Sequence, residues 1–431
     1  MSRWGAVLEA AKPERSGTVS RIVGLSIEVR GLAAAVGDLV TIADSVDAEV
    51  VAAEHGSLRC MPLAAVSGLR VGERATTSPG GPRVPVGTPV LGRIIDGLGR
   101  PLDGRGPLDA RRVTLHHGAP PVMERARIAE PLASGVRAID TLSPMGRGQR
   151  MGLFAGSGVG KSSLLSMIAR GSAAEVNVIA LVGERGREVR EFIEDDLGEA
   201  GLARSVVVVS TSDEPAMARL RAAFTATRIA EAFRDDGVDV MLMMDSLTRV
   251  AMAQREIGLA AGEPPATRGY PPSTFPVLAK LLERAGNDRH GSITGVYTVL
   301  VDGDDHNEPV ADTVRSILDG HIVLDRSLAI TGHHPAIDVL GSVSRLAGKV
   351  TTPEQQQLAA TLRTVLAARR DAQDLIGIGA YQPGADARVD AAVTHQRDLD
   401  RFLTQRLDEQ VTAADSWERL RRLVGAFGEL S

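Results

Sequence analysis

The chain is poor in the residues that would tie it to an oxidising compartment, a bilayer or a nucleic acid. One cysteine, Cys60, stands among 431 residues, so no intrachain disulfide can form and a reducing cytosol is the expected setting. Aromatic residues make up 3% of the chain, and between Ser16 and Ser78 there is no Phe, Tyr or Trp. That absence removes the stacking platform an RNA-translocating N-terminal domain needs. The 49 basic and 54 acidic residues give a net charge of −5, so no basic excess points to a polyanion and no nucleic-acid partner is expected. No uncharged apolar run reaches about 18 residues, and the start MSRWGAVLEAAKPERSG lacks a signal-peptide core, which predicts a chain that neither spans a membrane nor leaves by that route. The first residues, Trp4 to Ala10, are expected to fray, or else to form one amphipathic turn against a partner or lipid surface.

What is present falls into blocks. Residues 1–15 form an N-terminal segment, and 16–85 carry short β-branched runs (Thr18–Val23, Leu39–Ile42, Glu49–Ala53) between Gly and Asp turns, the pattern of a small all-β module. SPGGPRVPVGTP interrupts it, and prolines 79, 82, 85 and 89 are expected to mark a linker rather than a regular element. Residues 86–348 alternate apolar strands with helical patterns (Met151–Ala155, Val176–Val182, Ser205–Ser210, Val238–Met244, Ser292–Leu300), predicting an α/β unit with a mainly parallel sheet. Over 349–431 strand signals vanish, and QQQLAATLRTVLAARRDAQDLI and DAAVTHQRDLDRFLTQRLDEQ predict amphipathic helices.

The stretch LFAGSGVGKSSLL, Leu153 to Leu165, places a glycine-rich loop between a strand and a helix. Converging backbone N–H groups plus one cation are what ligand phosphates require. Residues Gly156, Ser157, Gly158, Val159 and Gly160 would wrap a phosphate, Lys161 would reach its β and γ oxygens, and Ser162, followed by Ser163, would offer a hydroxyl to Mg²⁺. Ala155 stands where the usual pattern has its first glycine, and this removes no donor or charge. Hydrolysis needs three further parts. A carboxylate on a neighbouring strand is supplied by Asp245 in VMLMMDSLTR, followed by the hydroxyl of Ser246. A base or water-orienting group is supplied by Glu184 in GERGREV, with Glu188 four residues on either reaching the Mg²⁺ waters or standing solvated. A cation for the transferring phosphoryl group comes from Arg185 or Arg345, between which spacing cannot choose.

Taken together, GRGQRMGLFAGSGVGKSSLL, ALVGERGREVREFIEDDLG, MMDSLTRVAMAQREIGLAAGEPPATRGYPPSTFPVLAKLLERAG and ADTVRSILDGHIVLDR resemble the type III protein-export ATPases, with a lean to the flagellar branch, and through them the rotary ATP synthase catalytic subunits. The resemblance runs over essentially the whole chain. It implies an N-terminal β-barrel, a RecA-like P-loop NTPase core and a helical C-terminal domain, hydrolysing ATP with Mg²⁺. It makes Lys161 and Ser162 the phosphate and metal ligands, Glu184 the catalytic carboxylate, Asp245 the strand-end acid and Arg185 a phosphate contact within its own subunit. Arg345, in GSVSRLAG, matches the arginine such ATPases offer to the next subunit's nucleotide, which implies a homohexameric ring. The family further implies regulator, stalk and gate proteins of an export apparatus, export substrates and their chaperones as partners, at a cytoplasmic, peripheral position on the inner membrane. His334 in GHHPAID replaces the tyrosine that family members generally stack on adenine, predicting weaker affinity or base selectivity, and Tyr381 in IGAYQPG matches another residue expected near the base. A His333–His334 metal pair and a cation site at Asp302, Asp304 and Asp305 are weaker readings than a stacking ring and a solvated loop. Virulence-type secretion ATPase, synthase subunit and non-catalytic ring subunit remain the alternatives, the last disfavoured by the carboxylate at Glu184.

Overall fold

A computed structural model describes residues 16–77, 81–301 and 308–428. The N-terminal turn and the acidic loop with Asp302, Asp304 and Asp305 lie outside the described residues.

Six strands, Ser16–Val23, Ser26–Arg30, Leu39–Ile42, Val46–Glu54, Ser57–Pro62 and Arg74–Thr77, close into an antiparallel barrel in the order first, second, fifth, fourth, third, sixth. Alternation explains the closure: Ile27 and Val29, Val40 and Ile42, and Leu58 and Cys60 point inward while Glu28, Thr41 and Arg59 between them stay partly exposed, the period of two that a one-sided strand requires. The barrel ends at Thr77. Proline-rich Arg83–Val86 is a strand after all, paired antiparallel with Arg111–Thr114. Pro85 lies within it, which a two-stranded ribbon tolerates because one edge of each strand makes no ladder bonds. Val84 and Val86 are buried with Val206, Val208 and Ala222 of the central unit, so this ribbon packs with the core and the boundary falls before residue 85.

The central sheet runs in the order Val343–Ser344, Gly320–Leu324, Arg150–Ala155, Ser292–Leu300, Asp239–Asp245, Val176–Glu184, Ser205–Thr211, Ile94–Asp96, with Gly286–Asn287 added beside Ser292–Leu300. The pairs from Gly320–Leu324 to Ile94–Asp96 are all parallel. Burial on both faces is why these strands are continuously apolar: Val240 through Met244 are buried without exception, as helix-covered parallel sheets demand.

The C-terminal unit is helical. Thr352 and Gln355 form a reciprocal capping box that starts the helix Pro353–Asp371, and Gln373–Gly377, Ala387–Thr394, Gln396–Leu403 and Ala413–Gly425 follow. The amphipathic stretch from Asp390 to Gln410 is not one helix. It breaks at His395 and stops at Leu403, beyond which Thr404 O, the Gln405 amide and Glu409 bond to Arg137 and Gly135 of the core. Among the described residues no helix is long and apolar enough to cross a membrane.

Candidate nucleotide site

The strand Arg150–Ala155 ends at Ala155, and the helix Lys161–Gly171 begins six residues later. Gly158 and Gly160 have φ of 75° and 92°, and a Cβ at either would meet nothing within 4 Å. Conformation rather than crowding therefore calls for glycine at both. Val159 is 2% exposed in the main core cluster and pins the loop, while Ser157, Gly158 and Ser162 face solvent. Ser163 lies in the first turn of that helix, where its carbonyl accepts from the Ser166 hydroxyl at 2.8 Å.

Lys161 is where the expected parts meet. Its ammonium lies 2.5 Å from Asp245 Oδ1 and 3.3 Å from Glu184 Oε1, and the three side chains are nearly buried. Burial works against the lysine's charge, but the fields of Asp245 and then Glu184 outweigh it and the pKa rises. Burial and then the Asp245 charge push Glu184 up, against the opposing pull of Lys161 and Arg249. Asp245 is not on the strand next to the loop's own strand. Ser292–Leu300 lies between them, and its Thr298 hydroxyl donates to Asp245 Oδ1 at 2.8 Å, holding the carboxylate toward the lysine. Ser246 does a structural job: its hydroxyl accepts from Arg249 N at 3.3 Å and caps the helix Leu247–Ala261.

Two residues escaped the sequence reading. Thr298 gives no motif signal, since a threonine in an apolar strand is ordinary. Arg249 had a signal in its spacing, four residues beyond Asp245 and one turn past a cap. Its side chain packs over Gly183, where an added Cβ would sit 2.9 Å from it, its Nε is buried without a hydrogen-bond partner, and its charge opposes the rise of Glu184's pKa.

The remaining expected residues are distributed around this centre. Arg185 is exposed and meets Glu188 at 3.3 Å, so here the two form a surface ion pair away from Lys161, and neither touches the other site side chains. Arg345 is exposed and follows the edge strand Val343–Ser344. Its N–H donates to Asp319 O at 3.0 Å, and Asp319 N donates to Arg150 O at 2.9 Å, which puts it at the opening end of the strand whose closing end carries the phosphate loop. At about 3.3 Å per residue those ends are roughly 17 Å apart. Arg345 therefore does not serve its own loop.

His334 is exposed on a cleft of about 490 Å³ that it shares with Arg137, Gln405, Arg406 and Glu409. The segment leading into the cleft touches the phosphate loop, where Arg326 donates to Ser157 O at 3.4 Å, and within the cleft Gln405 N donates to His334 O at 2.9 Å. Arg137, 1% exposed, gives Nη1 to the carbonyls of Arg401, Phe402 and Thr404 at 3.0–3.1 Å and Nη2 to Glu409. The carbonyls of a helix end, which lack partners of their own, are satisfied by this one cation. Tyr381 is elsewhere. Its hydroxyl bonds Asp390 Oδ1 at 2.9 Å and Asp386 O at 3.1 Å within its own loop, and it does not line the His334 cleft. Among the described residues no group of three His, Cys, Asp or Glu could hold a metal, so His333 and His334 have no third ligand.

A converging phosphate loop, two strand-end carboxylates and a helical third unit have counterparts among known proteins. The nucleotide-binding domain of the ATP synthase alpha/beta family matches residues 135–344, and the T3SS EscN ATPase C-terminal domain matches 351–422. The flagellum-specific ATP synthase of Bacillus subtilis is 51% identical over 96% of this chain and 96% of its own length. The SPI-2 type 3 secretion system ATPase of Salmonella typhimurium is 51% identical over 84% of each. Assembled EscN from the enteropathogenic E. coli type III secretion system superposes with a TM-score of 0.90 at 44% identity, covering 95% of this chain and 100% of EscN, and a second EscN structure holds its central stalk EscO. The chain belongs to the ATP synthase alpha/beta family, in its group of flagellum-specific and type III secretion ATPases.

Proposed function

We propose that the chain hydrolyses ATP to drive protein export through a flagellar type III apparatus. The observation that carries this is Lys161 held between Asp245 and Glu184. One ammonium facing two carboxylates at the mouth of a phosphate loop can exchange its partners for the charge of a triphosphate, leaving Asp245 for a metal and Glu184 for water. Ser162 and Asp245 would hold Mg²⁺, with Glu188 acting through its waters, and the metal would supply charge neutralisation at the β and γ oxygens. Gly156 to Ser163 would cradle the phosphates, His334 would stack on the base, and Arg185 would swing from Glu188 to the phosphates. The exposure of Arg345, far from its own loop, suits an arginine delivered to a neighbour's nucleotide in a homohexameric ring, and EscN, 44% identical, is itself an assembled ATPase.

A stalk, a regulator, a gate and chaperoned export substrates are the partners this reading implies, at a peripheral position on the cytoplasmic side of the inner membrane. Virulence-type secretion is the second reading, favoured by the SPI-2 relative's 51% identity. The flagellar reading is preferred because the Bacillus relative keeps that identity over 96% of the chain, against 84%. Glu184→Gln is expected to retain ATP and lose at least about 10² in turnover, as removal of a base or water-orienting group does. Lys161→Ala is expected to abolish tight nucleotide binding in a fluorescent-nucleotide titration. Normal hydrolysis by the first variant, or normal binding by the second, would refute these roles.

A further inference from the structure

A polar feature that the nucleotide site does not use lies where the barrel meets the core. A cavity of about 480 Å³ opens there between Glu49 of the barrel, the segment Leu115–Gly118 and the helix Ala216–Asp235, within the ~300–1,000 Å³ usual for small-molecule pockets. Met217, Leu220, Arg221 and Phe224 recur at three- and four-residue spacing and so line it from one helix face. The barrel approaches closely here: a Cβ at Gly37 would sit 2.9 Å from His116 Nε2.

The cations of this cavity are not equally engaged. Arg284 is held in a bidentate pair by the buried Glu231 at 2.6 Å and 2.6 Å, with its plane 5.7 Å from the Phe224 ring. Arg221, 3% exposed, spends one nitrogen on Glu49. Its Nε and Nη1 are buried with no hydrogen-bond partner, a cost of about 1–3 kcal/mol for an ordinary donor and more for a charged one. Lys280, on the rim, is exposed. Two cations thus face an apolar wall with only one carboxylate, Glu49, between them.

We infer that this cavity binds a small amphiphilic anion, with an oxyanion head on Arg221 and Lys280 and an aromatic or aliphatic body against Met217, Leu220 and Phe224. A carboxylate and a phosphate head share this chemistry, since either oxyanion accepts charge-assisted hydrogen bonds from a guanidinium or an ammonium. Because Glu49 belongs to the barrel and Arg221 to the core, an occupant touches both units at their joint.

The test uses the full-length protein labelled at methionine methyls, with the Met217 resonance assigned by Met217→Leu. Naphthoate, naphthyl phosphate and uncharged naphthalenemethanol are titrated in turn. The expected result is a saturable Met217 shift with one or both anions, half-complete below about 1 mM, and none with the alcohol; which anion binds tighter identifies the head. Lys280→Gln, a surface change, should weaken binding about threefold. The paired change Glu49→Gln with Arg221→Gln, which leaves no lone charge behind, should weaken it about tenfold or more. A Met217 resonance that stays still, an equal response to the alcohol, or unchanged affinity in Lys280→Gln would overturn the proposal.

Discussion

Lys161 shows how much one side chain decides. Its charge is balanced by Asp245 and Glu184, and in the proposed reaction the same three groups rearrange. Burial and the Asp245 charge raise the Glu184 carboxyl, and a base must be ionised to work. The acid limb of kcat/KM, which reports the free enzyme, is therefore expected at a pH above the ordinary carboxylate value of about 4.3, with activity lost as pH falls through it. A limb at or below that value would contradict the account. The loop glycines, Lys161, Glu184 and Asp245 were legible because each sits in a local strand–turn pattern. Thr298 was not: its contact with Asp245 exists only because Ser292–Leu300 is inserted between two strands far from it in sequence. Nor can spacing show that Tyr381 is tied to Asp390 rather than placed on the His334 cleft.

At the scale of elements, buried parallel strands announced themselves because both faces are covered, and Ser292–Leu300 matches its sequence reading residue for residue. The helices of the third unit were harder. Apolar periodicity continues through His395 and past Leu403, so nothing local ends the helix there, and the termination comes from Arg137 and Gln405 across the interface. Arg137→Met would leave three carbonyls without their donor at once, while Glu409, 31% exposed, keeps Arg419 at 3.3 Å. Each buried acceptor left unpaired costs about 1–3 kcal/mol. We expect hydrogen exchange over residues 396–409 to accelerate while Val176–Glu184 keeps its protection; unchanged exchange in 396–409 would show that other contacts hold the segment.

For the whole molecule, the proposed nucleotide site is incomplete in one chain, because Arg345 stands at the far end of the sheet from Lys161. A site completed by a neighbour makes a prediction that no single-chain site can share. Lys161→Ala has a dead phosphate loop and an intact Arg345; Arg345→Ala has an intact loop and no arginine to lend. Each alone should hydrolyse ATP at least about 10² more slowly than the native chain. The decisive measurement is the turnover of an equimolar mixture of the two at a concentration where chains assemble. Recovery of activity above the sum of the separate variants, falling away on dilution, is the predicted result, since mixed rings contain interfaces with a native loop and a native arginine. A mixture no more active than its parts, or an Arg345→Ala chain that turns over normally by itself, would contradict it.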